Sequence, residues 1–286
     1  MTVAQETPNT GKSWLRIPSA KTLITILITL ILVVGEWRYG ITGGYDKLAL
    51  TLGTCVVTET LLSFLVLGKR PRLQGAYITG TSLSLLLRPA GGLYWPFVVA
   101  AALSIAAKYV LRYKGKHLWN PSNLGLAVLV LLAPNQVALL SHELGNDILG
   151  NVVIWSVGLM VASRAKVLHI TLTYAASFAL LALLRSALVD TPVLAELAPL
   201  TGPMYQLLCF FMLTDPPTTV GSVRGRVGVT IVIAIVECVF RLANDFEWPY
   251  AEIVAPAPPI IALFLIAPIF LAIDLYRRDK AAKSAG

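Results

Sequence analysis

Charge is what this chain has least of. Asp, Glu, Lys and Arg together make up 13% of its 286 residues, about half the share found in an ordinary soluble domain, which excludes a water-soluble chain of this size. Only three histidines and three cysteines occur. Cys55, Cys209 and Cys238 lie in apolar stretches without CxxC or Cys/His spacing. A disulfide scaffold is therefore excluded, no metal site is spelled out, and the plainest use of the thiols is as small packing residues. An iron–sulfur cluster would need a fourth thiolate from another subunit, and the spacing does not favour one. The chain has no HExxH, no GxSxG, no Walker-type glycine loop and no dinucleotide fingerprint, so catalysis of the soluble type has no candidate residues.

What the chain has instead is apolar sequence. Hydrophobic residues make up 56%, and mean hydropathy is +0.74. Ten apolar segments can be marked at 21–38, 48–67, 76–88, 93–111, 122–140, 150–163, 167–185, 200–214, 226–243 and 258–276. A span takes about 20 residues, so the length suits about ten. The first run, Thr22 to Val34, has no small-residue cleavage site before Glu36-Trp37-Arg38, and is expected to be a retained span rather than a secretory signal. The fold class expected is an all-α integral membrane protein.

The net charge of +8 sits at segment ends. With both termini cytoplasmic, 18 of the 23 cations fall inside, and Arg38, Lys47, Arg88, Arg185 and Arg241 fall outside. The outer loops hold most acids, among them Glu143, Asp147, Asp190, Glu196, Asp245 and Glu247. This is the positive-inside bias, and it accounts for the basic charge without nucleic acid.

Ten segments divide into five and five, and an odd number per half makes the second half enter from the opposite face. The third and eighth segments are short and stopped by proline, at Arg88-Pro89 and Asp215-Pro216-Pro217, because proline lacks an N–H and disfavours helix in the residue before it. Each contains a Thr-Gly pair, Thr79-Gly80 and Thr201-Gly202. Paired interrupted segments point to an inverted repeat with a site at its interface. The expected organisation is a cytoplasmic tail at 1–20, a first five-segment repeat at 21–140, a second at 141–276 and a basic cytoplasmic tail at 277–286.

Ionisable residues inside apolar segments are functional candidates by default. Glu59 has no local cation, so it meets a partner from another span or is protonated. Glu237 has Arg241 at the i,i+4 spacing that allows a pair on one helix face. Asn120 is placed to cap a helix that starts at Pro121. Asp215 is placed to cap the next stretch of chain or to pair with Arg226. A cavity is expected between the third and eighth segments, lined by Thr79, Gly80, Thr201, Gly202 and Glu59, with Asn120 and Asp215 at its cytoplasmic border.

Three stretches carry a resemblance. They are the basic loop Lys114–His117 running into Trp119-Asn120-Pro121, then Phe211-Met212-Leu213-Thr214-Asp215-Pro216 with Gly225-Arg226 downstream, and Thr79-Gly80 through Arg88-Pro89 to Trp95. In this arrangement the chain resembles RnfD and NqrB, the membrane subunits of the ion-coupled Rnf and Na⁺-translocating quinone reductase complexes. The resemblance covers about the second span to the tenth, and the chain lacks the long N-terminal extension of NqrB. It implies ten helices with an inverted five-helix repeat in the inner (cytoplasmic) membrane of a bacterium. It also implies a non-autonomous subunit of a membrane oxidoreductase whose other membrane and redox subunits are its partners. The family joins a flavin by a phosphoester to the threonine of a Ser/Thr-Gly-Ala-Thr motif. Here that stretch reads Thr201-Gly202-Pro203-Met204, and Met204 has no hydroxyl, so no covalent FMN is expected. A non-covalent FMN or riboflavin stays open, with Tyr205, Trp95 and Tyr94 for stacking and Arg88 for a phosphate. Similar chains also occur outside complete complexes, so a small-molecule channel or transporter and a structural subunit remain alternatives.

Overall fold

A computed structural model of the chain describes residues 19–139 and 147–284. The expected tail at 1–20 (with Lys12 and Arg16), the junction between the two expected repeats and the outer residue Glu143 therefore lie wholly or largely outside the described residues. The chain is mostly helical. The first half runs through α1 (Ala20–Tyr39), α2 (Tyr45–Leu67), α3 (Leu73–Leu86), α4 (Trp95–Val110) and α5 (Pro121–Leu132). The second runs through α6 (Ile148–Arg164), α7 (Leu168–Val189), α8 (Val193–Leu197), α9 (Pro203–Leu207), α10 (Val223–Asp245), α11 (Ala251–Val254) and α12 (Pro258–Ser284). Among the described residues, four helices, α2, α7, α10 and α12, are long and apolar enough to cross a membrane. α4, α5 and α6 are shorter apolar helices.

The irregular stretches fall where the sequence interrupts itself. α3 ends at Leu86, and the chain continues as strand β1 (Leu87–Pro89). Its backbone groups pair antiparallel with β4 (Val137–Leu139), Leu87 opposite Leu139 and Pro89 opposite Val137. The expected fifth segment, 122–140, is cut back to a 12-residue helix that stops at Leu132, because Ala133 precedes Pro134 and is pushed out of helical geometry. In the eighth segment α9 passes into a π-turn, Leu208–Met212, where the Leu213 N–H reaches the Leu208 carbonyl at 2.9 Å. The hydroxyl of Thr171 on α7 donates to the Cys209 carbonyl at 3.0 Å and that of Thr214 to the Phe210 carbonyl at 2.6 Å. Irregular backbone in an apolar setting persists only when its polar groups are satisfied in this way.

Packing follows the small residues. α2 packs on α3 and α4, α4 on α5, α7 on α10, and α10 on α12; α1 contacts α6 and α5 contacts α12. A Cβ at Gly125 of α5 would lie 2.8 Å from the Ala100 carbonyl oxygen of α4, so glycine is what lets these two backbones approach. Likewise a Cβ at Gly158 of α6 would lie 2.7 Å from the Phe210 ring of the π-turn. On the face expected to be cytoplasmic, β2 (Arg112–Tyr113) and β3 (Lys116–His117) form a hairpin. Its turn takes positive φ at Lys114 and Gly115, the geometry of a two-residue hairpin loop. Lys114 Nζ reaches Asp279 at 2.7 Å, which sets the hairpin and the end of α12 on one face.

Candidate functional site

The polar candidates gather in three places. The first is the contact between Trp119-Asn120-Pro121 and Asp215. Asn120 caps α5 by accepting the Asn123 N–H at 3.1 Å, and Pro121 fills the first helical position, where a missing N–H costs nothing. The Asn120 amide also donates to Asp215 at 3.3 Å. Asp215 accepts the Thr218 hydroxyl at 3.1 Å. It does not pair with Arg226, whose Nε donates to the Val220 carbonyl at 2.9 Å. Of the two alternatives read from sequence, pairing with Arg226 is not seen; Asp215 stands at the N-cap position of the next turn and adds a contact with a side chain 95 residues away. Pro216 opens the short 3-10 turn Pro216–Thr218 next in the chain.

The same motif grips α12. Pro268 lies inside that helix and cannot donate to the carbonyl four residues before it, that of Phe264. The indole N–H of Trp119 does so instead, at 2.9 Å. The Asn123 amide donates to the Ile260 carbonyl at 2.9 Å. Beside these contacts lies a cavity of about 30 Å³ bordered by Trp119, Asn120, Asn123, Thr218 and Arg226, room for a water or two. His117, on the hairpin, has its imidazole pushed down to about 4 by burial and by Lys108, Arg112 and Lys116.

The second place is Glu59, buried on α2. Its partner comes from another helix, one of the two alternatives that the lack of a local cation allows. Lys108 Nζ of α4 stands 2.5 Å from Glu59 Oε2, and the Tyr109 hydroxyl donates to Oε1 at 3.0 Å. Lys108 reads from sequence only as a flanking cation.

The third place surrounds Glu237 on α10. Arg241 Nε approaches Glu237 Oε1 at 3.1 Å on the same helix face. The hydroxyls of Tyr174 on α7 and Tyr205 on α9 donate to the two carboxylate oxygens, and Arg241 also donates to the Tyr205 hydroxyl. Its guanidinium lies 5.5 Å from the ring centres of Phe178 and Tyr205. Alongside, Arg185 on α7 pairs with Glu196 on α8 and, at 2.5 Å, with Asp245 on α10. A tyrosine in an apolar helix carries no sequence mark, so nothing in the sequence singles out Tyr174; Arg185, Glu196 and Asp245 read only as outer-loop charges.

Most of the residues expected around a flavin are engaged with other partners. Tyr205 is 1% exposed and spends its hydroxyl on Glu237. Arg88 points its guanidinium at the carbonyls of Ser84, Leu87 and Ile41. Trp95 and Tyr94 are exposed at the start of α4, with Tyr94 bonded to Asp46. Thr201 is exposed and bonds the Ala198 carbonyl at 2.7 Å, Gly202 is buried, and Met204 is 3% exposed. The two Thr-Gly pairs sit in different surroundings. Thr79 is buried and Gly80 packs on Leu52 and Cys55 of α2, although α3 and α9 touch. Two cavities, of about 30 and about 10 Å³, are lined by none of these residues and are far below the roughly 300 Å³ that a cofactor needs. The donor set therefore does not fit a flavin held by this chain alone. No protein-family model matches the chain, and no curated protein matches it.

Proposed function

We propose that the chain is an RnfD/NqrB-like membrane subunit, built as ten segments in an inverted five-plus-five repeat, that supports electron transport or redox-coupled ion movement inside a multisubunit complex of a bacterial inner membrane. The observation that carries the reading is the Asn120–Asp215 hydrogen bond. It joins two of the three stretches on which the resemblance rests, one from each half. The repeat itself is supported by contacts that recur: α2 on α4 answers α7 on α10, and α4 on α5 answers α10 on α12. The halves meet through α1 on α6 and α5 on α12, which are equivalent pairs. Each half also places a buried carboxylate with a cation and at least one tyrosine hydroxyl at its second–fourth helix contact, Glu59 with Lys108 and Tyr109, and Glu237 with Arg241 and Tyr174.

In this reading the chain's own residues anchor and hold charge, and the soluble redox domains belong to partner subunits. The misfit of Arg88, Tyr205 and Met204 to a flavin favours a second reading, a structural or solute-conducting subunit on the same scaffold. Purification in mild detergent from native membranes separates the two. The first reading expects redox subunits to co-purify and the preparation to bleach when an electron donor is added. A colourless chain that moves a solute into proteoliposomes with no donor present contradicts it.

A further inference from the structure

We propose that the buried cluster of Arg185, Glu196, Glu237, Arg241 and Asp245 on the outer half of the molecule binds one exchangeable proton, which makes it a proton-loading site of the second repeat. The proposal deepens the reading above by naming the chemical class of the coupling ion at that site, and rests on it for the role, though not for the binding.

The charges of the cluster do not balance, and they sit in a poorly solvated place. Glu237 is 1% and Glu196 5% exposed, and the side chains of Arg185, Arg241 and Asp245 are between 13% and 17% exposed. Three carboxylates thus face two guanidiniums, and Arg185 is shared between Glu196 and Asp245. An uncompensated charge in such surroundings is strongly unfavourable, and a bound cation removes it. The groups facing the cluster from each packed element are neutral: Tyr174 and Phe178 on α7, Tyr205 on α9, and Cys238 on α10. Thr191 donates to Glu196 at 2.8 Å. Among the described residues no other ion pair reaches these five side chains.

The space selects a proton over a metal cation. The cavity between Phe178, Arg185, Glu196, Glu237 and Arg241 is about 10 Å³, one water at most, and the rest of its wall is aliphatic apart from the Cys238 thiol. A hard cation needs about six oxygen ligands, whereas both Glu237 oxygens already accept from tyrosines. Among the described residues no cluster of His, Cys, Asp or Glu could hold a metal ion. Binding converts one carboxylate to a carboxylic acid and leaves two negative groups against two positive ones. Because the five groups are coupled, the proton belongs to the cluster rather than to one residue. The first half supplies its own contrast, since Glu59 and Lys108 are balanced one to one.

The test is infrared difference spectroscopy of the purified chain in an ester-free detergent at about pH 8, where ordinary carboxyls are ionised. The wild type should show a protonated-carboxyl band that shifts in D₂O. Glu196→Gln, Glu237→Gln and Asp245→Asn each bring the count to two against two, so each should lose that band completely, while Glu59→Gln keeps it. Circular dichroism of each variant checks that loss of the band is not loss of fold. A wild type without the band, or a band that survives all three substitutions, overturns the proposal. The measurement needs no electron donor or partner, so its failure is distinct from failure of the redox reading.

Discussion

Single side chains here are held by partners that lie far away in sequence, and their contributions can be read one at a time. Asp215 accepts from both the Asn120 amide and the Thr218 hydroxyl. Asp215→Ala strips the acceptor from both donors, an effect of about 1–3 kcal/mol, and should lower the melting temperature and the yield of folded protein. Ala at exposed Glu252 should stay within about 0.5 kcal/mol of wild type. His117 gives a pH signature. Its folded-state pKa is depressed from 6.5 to about 4, so between those values the unfolded chain binds more protons than the folded one, and stability rises with pH. Acidification from neutrality through that window should therefore destabilise the wild type by about 1 kcal/mol after allowance for its partial exposure. His117→Gln should flatten that part of a melting profile against pH. Asn120 is legible in the sequence because an Asn-Pro pair before an apolar run is a local cap signal. Tyr174 and Lys108 are not legible as ligands of Glu237 and Glu59, since what selects them is the packing of α7 on α10 and of α2 on α4.

At the scale of elements, the chain repeatedly breaks a helix and repairs the break with a side chain from another. Pro268 leaves the Phe264 carbonyl unpaired within α12, and Trp119 fills the gap. Trp119→Phe should cost about 1–3 kcal/mol. In a Pro268→Ala background it should cost less, because an alanine N–H then serves the same carbonyl. A double-mutant cycle read by thermal unfolding should give a coupling of about 0.5–3 kcal/mol; a zero coupling would mean the indole bond does not substitute for the missing one. Gly125→Ala should cost about 1–3 kcal/mol, since its Cβ meets the Ala100 backbone as well as the Ser104 side chain, and the backbone cannot turn aside. The proline stops of the third and eighth segments are visible in sequence, and the helices end a few residues ahead of them, α3 at Leu86 and the π-turn at Met212. The β1–β4 pairing and the π-turn are not visible there, because a strand of three residues and an extra backbone residue in a turn have no periodicity to detect.

For the whole molecule, composition alone announces a membrane chain, and four helices long and apolar enough to span agree with it. The finer arrangement depends on sidedness. The ion pair from Lys114 to Asp279 and the hydrogen bond from the Gly221 N–H to Asp274 gather the hairpin, the loop before α10 and the end of α12 on one face. Single cysteines in the hairpin at Lys116 and near the end of α12 at Lys280 should be labelled together from the cytoplasmic side, and one at exposed Asp190 only from the other; labelling of the hairpin and Asp190 from the same side would undo the topology. The role proposed for the chain is that of a subunit in a redox-driven ion pump. Inverted membrane vesicles from the native host, with and without the gene, test it most directly by the ion gradient formed when an electron donor is added. The expected result is a donor-driven gradient that vanishes without the chain and returns with the wild type but not with Asp215→Ala. A gradient of equal size in vesicles lacking the chain would contradict it.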